Sequence, residues 1–131
     1  MTEQLILPVG VSIALGATVG ALCRYYIFLI WLRLGCSSSI HGTFFVNLTG
    51  ATAIAILYNV LDGNTVHGSE LQSLAATGGL GAYTTFSSYI LEAVALWQES
   101  KRWVAIIYLA MSSIIGASLA TLILTNPLSH L

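Results

Sequence analysis

Apolar residues run along the chain in four long stretches that are separated by short polar segments. The stretches cover about 5–32, 41–60, 71–96 and 103–125. A bilayer core about 30 Å thick is crossed by roughly 20 helical residues, so each stretch is long enough to cross a membrane. The polar segments are too short to fold independently. The pattern therefore predicts a single transmembrane domain of four helices over residues 1–131.

The composition places the chain among integral membrane proteins. Four basic and five acidic residues make up 7% of the 131 residues, against about 25% in an ordinary soluble domain. We expect a multi-pass protein of the cell (inner or plasma) membrane, with membrane lipid around it. The net charge of −1 and the lack of a basic run leave nothing to neutralise phosphates, which argues against nucleic acid as a partner.

Outside the spans, lysine and arginine are confined to two of the three loops. Arg33 lies in the first loop and Lys101 and Arg102 in the third, whereas the second loop and both tails have none. Cytoplasmic loops are enriched in these residues, so the bias favours both termini outside. A bundle of four helices also has little interior in which to hide polar groups, and we therefore expect an oligomer.

Polar residues inside the first two spans are candidates for function, because polar groups at membrane depth are costly. Gly16, Gly20 and Arg24 recur at four-residue spacing, so the arginine shares a face with a close-packing GxxxG stripe. Arg24 can extend to the membrane surface, or it can serve at a pore mouth or in the protein interior. Asn47, on one face with Thr43, can form a hydrogen bond between helices or hold a desolvated anion.

The third span contains Gly78, Gly79 and Gly81 within four residues. Glycines weaken a helix, and a broken helix at mid-membrane is tolerated only where it lines a cavity or is buried in protein. The sequence therefore predicts a helix break at these glycines. Backbone carbonyls released by such a break can coordinate a small cation.

An aromatic pair and a row of hydroxyls follow the glycines. Phe86 and Tyr89 are three residues apart and share a helix face, with Thr85, Ser88 and Glu92 on the adjacent face. Aromatic residues at this spacing commonly pack against a neighbouring helix. Beside hydroxyls and a helix break they are also candidates for lining a polar path.

Small and polar residues form a stripe in the fourth span. Ser113, Ala117 and Thr121 recur at four-residue spacing and are flanked by Gly116 and Ser118. Serine and threonine in membrane helices often bond back to their own backbone. The stripe is therefore either a structural feature of this helix or part of a polar path.

The residues of common catalytic sites are not arranged for catalysis in this sequence. His41, His67 and His130 lie at helix ends or in loops without ligand spacing to a cysteine or carboxylate, and no serine or cysteine stands in a nucleophile motif. We therefore do not expect an enzyme. Glu92 is the only carboxylate within a span, and it falls toward the end of the third, where it can reach water.

These segments together resemble the small bacterial fluoride channels of the Fluc family, also called CrcB. The resemblance runs through 16–25, 42–50 and 78–89, in the same order and on the same helices. It implies a fluoride-selective passive ion channel that exports fluoride from the cytoplasm and lowers its toxicity. It also implies an all-α fold of four transmembrane helices with a break in the third, paired as a dual-topology antiparallel homodimer. A structural sodium ion lies at the centre of that dimer.

Residue roles follow from the same resemblance. Gly81 and Thr84 would offer backbone carbonyls to the sodium ion. Asn47 matches the family's pore asparagine, and Phe86 matches a phenylalanine whose ring edge points into the pore. Tyr89 stands where the family has its second phenylalanine, so it keeps the ring and adds a hydroxyl.

The remaining positions implied by the resemblance are polar. They are two hydroxyls of the third span, two of the fourth, and an arginine at the vestibule of the pore: Ser87, Ser88, Ser118, Thr121 and Arg24. Ala117 stands where many members have a serine in the helix-four polar track. The bias of Lys and Arg between the loops also departs from the near-balance that dual insertion prefers.

Two other classes of protein are alternatives to a channel. A small multidrug-resistance-type proton-coupled exporter also has four helices, but it requires a glutamate in the middle of the first span, and 5–32 contains none. A structural bundle without transport would leave the break and the polar residues unexplained.

Fluoride is tightly hydrated, so its pore must return hydrogen bonds along the whole path. Hydroxyls, amides and aromatic ring edges do this without a fixed charge that would trap the ion.

Overall fold

The computed structural model describes residues 8–35, 39–61 and 66–126, with the side chains of 66–68 left out. Residues 5–7 of the first predicted span and His130 lie outside the described residues, as does the side chain of His67. The described chain consists of helices and turns. In chain order the helices are α1 (Val9–Arg33), α2 (Ser39–Val60), α3 (Val66–Leu71), a π-helical segment (Gln72–Leu80), α4 (Gly81–Tyr83), α5 (Phe86–Gln98) and α6 (Arg102–Thr125).

Three of the helices within the described ranges, α1, α2 and α6, are long and apolar enough to cross a membrane. They correspond to the first, second and fourth apolar stretches of the sequence. The third stretch is divided among α3, the π segment, α4 and α5. The prediction of an all-helical, multi-pass membrane protein is confirmed.

The third stretch is broken at two threonines. Thr84 and Thr85 have extended backbones, with φ and ψ of −73° and 160° at Thr84 and −145° and 115° at Thr85. Branching at Cβ favours this conformation over a helix. The Thr85 hydroxyl then caps the next helix by accepting a hydrogen bond of 3.3 Å from the Ser88 amide. The predicted break in the third span is therefore present, and within the 78–85 segment it lies at the threonines that follow the glycines.

Gly78 serves close packing together with Gly16 and Gly20 of α1, because these three glycines let α1 and the π segment pack backbone against backbone. A Cβ on Gly16 would lie 1.8 Å from the Leu74 carbonyl oxygen, and one on Gly20 would lie 1.9 Å from that of Gly79. A Cβ on Gly78 would meet the α1 backbone at 2.3 Å. No other residue type fits at these positions, as is typical of close helix pairs in membranes.

A small core joins α5 to α6. It consists of Tyr89, Ala93, Leu96, Ala105 and Tyr108, each with less than a tenth of its surface exposed. Most other large apolar side chains face outward, including Leu91 at 70% exposure and Trp103 at 77%. This distribution suits a chain whose outer surface meets lipid and other protein instead of water.

Candidate functional site

Side chains from two neighbouring helices hold the break in the third stretch. The Asn47 carboxamide on α2 pairs with the backbone of Thr85: its Nδ2 donates to the Thr85 carbonyl at 3.0 Å, and its Oδ1 accepts from the Thr85 amide at 2.8 Å. Arg24 on α1 donates from Nη1 to the Thr84 carbonyl at 3.1 Å. Of the alternatives for these two residues, the structure shows an interhelical hydrogen bond for Asn47 and an interior contact for Arg24.

A groove opens beside the break, between α2, α5 and α6. It has a volume of about 390 Å³ and brings together three of the predicted site residues, Asn47, Phe86 and Tyr89. On α6 it is bordered by Ser112, Ser113, Gly116 and Ala117. The groove is therefore lined by an amide, two aromatic rings and hydroxyls, without a formal charge among the described lining residues.

The two rings in this groove differ in their freedom. The Phe86 side chain lies at the mouth and is 74% exposed, whereas Tyr89 is only 7% exposed. Their ring centroids are 6.1 Å apart. The Tyr89 hydroxyl donates to the Leu109 carbonyl on α6 and lies 3.1 Å from the Ser113 hydroxyl. The added hydroxyl thus fixes the second ring to α6, while within the described part of the chain the first ring has no hydrogen bond of this kind.

The two polar residues predicted on α6 lie elsewhere. Thr121 is exposed and donates back to the Ala117 carbonyl at 2.8 Å, the structural alternative for this helix. Ser118 is also exposed, and neither residue is among the described residues that line the groove. Ser112 lines it instead. A four-residue spacing through Tyr108, Ser112 and Gly116 is the sequence signal that points to this face of α6.

A second cavity, of about 410 Å³, lies on the α1 side of the break. Arg24, Tyr25 and Phe28 of α1 line it together with Ser87 and Ser88 of α5. The Ser88 hydroxyl lies 3.1 Å from the Thr85 hydroxyl, and Ser87 is exposed to the cavity mouth. This is the place where a cationic side chain and the first turn of α5 face the same space, as suits an anion.

Sequence reasoning missed the contacts of one carboxylate, Glu92, which is bonded to hydroxyls of α2 and α6. Glu92 accepts from the Thr43 hydroxyl at 2.7 Å through Oε1, and from the Tyr108 hydroxyl at 2.8 Å through Oε2. Thr43 is fully buried and Tyr108 is 8% exposed. Glu92 is therefore half-buried and bonded within the protein, which corrects the expectation that it would reach water at the end of its span. Thr43 and Tyr108 are distant from Glu92 in the sequence, so no local spacing pattern predicts that they contact it.

The predicted cation ligands are the backbone carbonyls of Gly81, the first residue of α4, and Thr84, which follows its last residue. The Gly81 carbonyl lies 3.5 Å from the Thr84 hydroxyl, and Gly81 is exposed. The Thr84 carbonyl accepts from Arg24 on one side, and a carbonyl oxygen has a second lone pair. Carbonyl oxygens released from a broken helix are ligands that suit sodium. The donor set of one chain therefore fits part of a sodium site, with further ligands still required.

These features define a multi-pass membrane protein in which a broken helix lies between apolar spans. Residues 11–124 match the family described as CrcB-like protein, Camphor Resistance (CrcB). The chain is 36% identical over 117 residues to the fluoride-specific ion channel FluC of Trichormus variabilis, covering 88% of this chain and 85% of the relative. The chain belongs to the CrcB family.

Other relatives carry the same description. The fluoride-specific ion channel FluC of a Synechococcus species is 34% identical over 111 residues, with 85% of each chain covered. That of Salinibacter ruber is 36% identical over 111 residues, covering 84% of this chain and 82% of the relative. The resemblance predicted from the sequence is confirmed, and these matches give no support to a multidrug-type exporter.

Proposed function

We propose that this protein is a fluoride-selective passive ion channel that exports fluoride from the cytoplasm and so lowers its toxicity. The observation that carries the proposal is the groove beside the helix break, where Asn47, Phe86 and Tyr89 meet hydroxyls of α6. It occurs in a chain whose relatives are named fluoride-specific ion channels. These groups match the demands of a small, strongly hydrated anion.

The chemistry of the groove favours an anion that binds weakly enough to pass through. Serine hydroxyls donate hydrogen bonds, and the ring edge of Phe86 carries partial positive charge. Because the described lining has no fixed cation, a dehydrated anion is stabilised without being trapped. Arg24, in the neighbouring cavity with Ser87 and Ser88, raises the local anion concentration at the vestibule.

We propose that the working unit is an antiparallel homodimer with dual topology. In one chain, Phe86 is 74% exposed and Gly81 is exposed beside the break. Polar backbone and an open groove are costly against lipid, and a second copy would cover both. The antiparallel arrangement rests on the family resemblance, and the bias of Lys and Arg toward two loops makes it worth a direct test.

We further propose a structural sodium ion at the dimer centre, held by the carbonyls of Gly81 and Thr84 from both copies. Their oxygen chemistry and the exposure of Gly81 support it. Replacing sodium with N-methylglucamine should lower the fraction of dimer in detergent, and sodium should restore it where potassium does not. A dimer fraction that is independent of sodium would reject the site without bearing on fluoride conduction.

Efflux from liposomes tests the main proposal. Purified protein is reconstituted with internal potassium fluoride, and valinomycin provides the counter-current. We expect rapid fluoride release, no chloride release above protein-free vesicles, and no dependence on a proton gradient. Equal release of chloride would reject selectivity, and a requirement for a proton gradient would reject a passive channel in favour of a coupled exporter.

A further inference from the structure

We infer that Asn47 and Arg24 are positioning residues that hold the extended Thr84–Thr85 backbone, and that Asn47 controls conduction through this backbone. The inference rests on the proposed function, since it concerns how the same path is shaped. In this view the hydrogen bonds that these two side chains make at the break hold the protein backbone in place.

The break leaves backbone groups that no helix satisfies. The Thr85 amide follows an extended residue, and it donates to Asn47 Oδ1 at 2.8 Å. The Thr84 carbonyl lies between α4 and α5, and it accepts from Arg24 Nη1 at 3.1 Å. Backbone groups released by a broken helix at membrane depth need partners within the protein wherever water does not reach them. Two neighbouring helices, α1 and α2, thus supply the hydrogen bonds that its geometry requires.

The Asn47 contact is specific for a carboxamide. Its Nδ2 and Oδ1 bond the carbonyl and the amide of the same residue, Thr85, at 3.0 and 2.8 Å. A carboxylate cannot donate to the carbonyl, and an aliphatic residue satisfies neither group. Oδ1 and one Nδ2 hydrogen are therefore already committed before any ion arrives. This engagement is the reason for assigning the residue to the backbone.

Holding Thr85 determines where the groove-lining ring lies. Thr85 is the N-cap of α5, and Phe86 is the first residue of that helix. The Thr85 peptide plane therefore sets the start and direction of α5, and with it the position of the exposed Phe86 ring. Loss of the two Asn47–Thr85 hydrogen bonds would therefore displace the ring through the backbone of α5.

Backbone ester substitution tests the inference, because it removes a single N–H and leaves every side chain in place. Replacing Thr85 with its α-hydroxy acid removes the donor to Asn47 and weakens the Thr84 carbonyl that accepts from Arg24. The matched control is the same replacement at Thr84, whose amide donates within the helix to Leu80 at 3.0 Å. Fluoride efflux from liposomes is measured for both, alone and combined with Asn47→Ala.

We expect the ester at Thr85 to lower fluoride flux about tenfold or more, as lost hydrogen bonds at this site should. The ester at Thr84 should cost much less. Asn47→Ala should lower the flux of the all-amide protein but have a smaller effect in the Thr85 ester, since the ester has already removed one of the two Asn47–Thr85 hydrogen bonds. Full flux through the Thr85 ester, with Asn47→Ala still impaired, would overturn the inference in favour of direct ion contact.

Hydrogen exchange provides a readout independent of flux. The Thr85 amide should exchange about tenfold faster or more in dimeric Asn47→Ala protein than in the unmodified dimer. An unchanged exchange rate would contradict this role of Asn47. If Asn47→Ala does not assemble, the comparison of the two esters decides alone. Failure of the unmodified protein to carry fluoride would instead reject the proposed function and leave the exchange result standing.

Discussion

Phe86 and Tyr89 occupy neighbouring positions of one helix face, yet their environments separate their roles. The Phe86 ring is 74% exposed at the groove mouth, and the Tyr89 ring is 7% exposed in the α5–α6 core. An exposed ring can present its edge to an ion, whereas a buried ring with a bonded hydroxyl mainly supports the wall. Substitutions at the two positions should therefore have unequal effects.

Phe86→Ile should nearly abolish fluoride flux while leaving the dimer intact. Isoleucine keeps apolar bulk but removes the positive ring edge, and we expect a loss of about a hundredfold. The matched control is Phe45→Ile on α2, whose ring packs against Trp31 outside the groove. Liposome efflux measures both variants. Conduction by Phe86→Ile at the unmodified rate would refute the pore assignment of this ring.

Tyr89→Phe should be tolerated, because it keeps the ring and restores the residue that the family resemblance implies. It removes the hydroxyl bonded to Leu109 and Ser113, which in a membrane protein are worth about 1 kcal/mol. We expect nearly unmodified flux with slightly lower thermal stability. Ser113→Ala, which leaves the bond to Leu109, should lower stability less. A collapse of flux in Tyr89→Phe would show that the hydroxyl itself serves the ion.

Asn47→Asp should nearly abolish flux at neutral pH. A carboxylate cannot donate to the Thr85 carbonyl, and it places negative charge beside the path in a site of low dielectric. Protonation at low pH gives a neutral acid that can both donate and accept, so flux should rise as pH falls. Efflux measured across a pH series tests this, with the unmodified protein as the reference. Flux at the unmodified rate at neutral pH would contradict both reasons.

The meeting of Asn47, Phe86 and Tyr89 was predictable, because each is a polar or aromatic exception within an apolar span. The orientation of α6 was only partly predictable. Small and polar residues lie on more than one of its faces, so the sequence offers both Ser112 and Thr121 and does not decide which of them turns toward the groove. That choice depends on how Tyr108 packs in the α5–α6 core, which only the folded chain determines.

At the scale of elements, the contact between α1 and the π segment is the most exacting. Gly20→Ala would place a Cβ 1.9 Å from the Gly79 carbonyl oxygen, and that neighbour is backbone and cannot move aside. We expect destabilisation by about 3 kcal/mol or more. Gly10→Ala on the same helix is the control, since its Cβ would have nothing within 4 Å. Equal melting temperatures and yields for the two variants would contradict this packing.

Glycine content alone does not predict where a membrane helix breaks, as the position of this break shows. Gly78 and Gly79 are helical, and the extended residues are Thr84 and Thr85. Glycines in a membrane helix serve either flexibility or close approach. The sequence does not separate these uses until the partner helix is known. The threonines, together with the Thr85 cap of α5, were the more direct signal.

For the whole molecule, the open question is how copies insert. Family resemblance predicts antiparallel pairs, whereas Arg33, Lys101 and Arg102 favour one orientation. A single labelling site in the third loop, Gln98→Cys with both native cysteines replaced, distinguishes them in intact cells. We expect a membrane-impermeant maleimide to label about half of the copies, and the rest only after permeabilisation. Labelling of every copy from one side would reject dual topology, because an antiparallel pair must present this loop on both faces of the membrane.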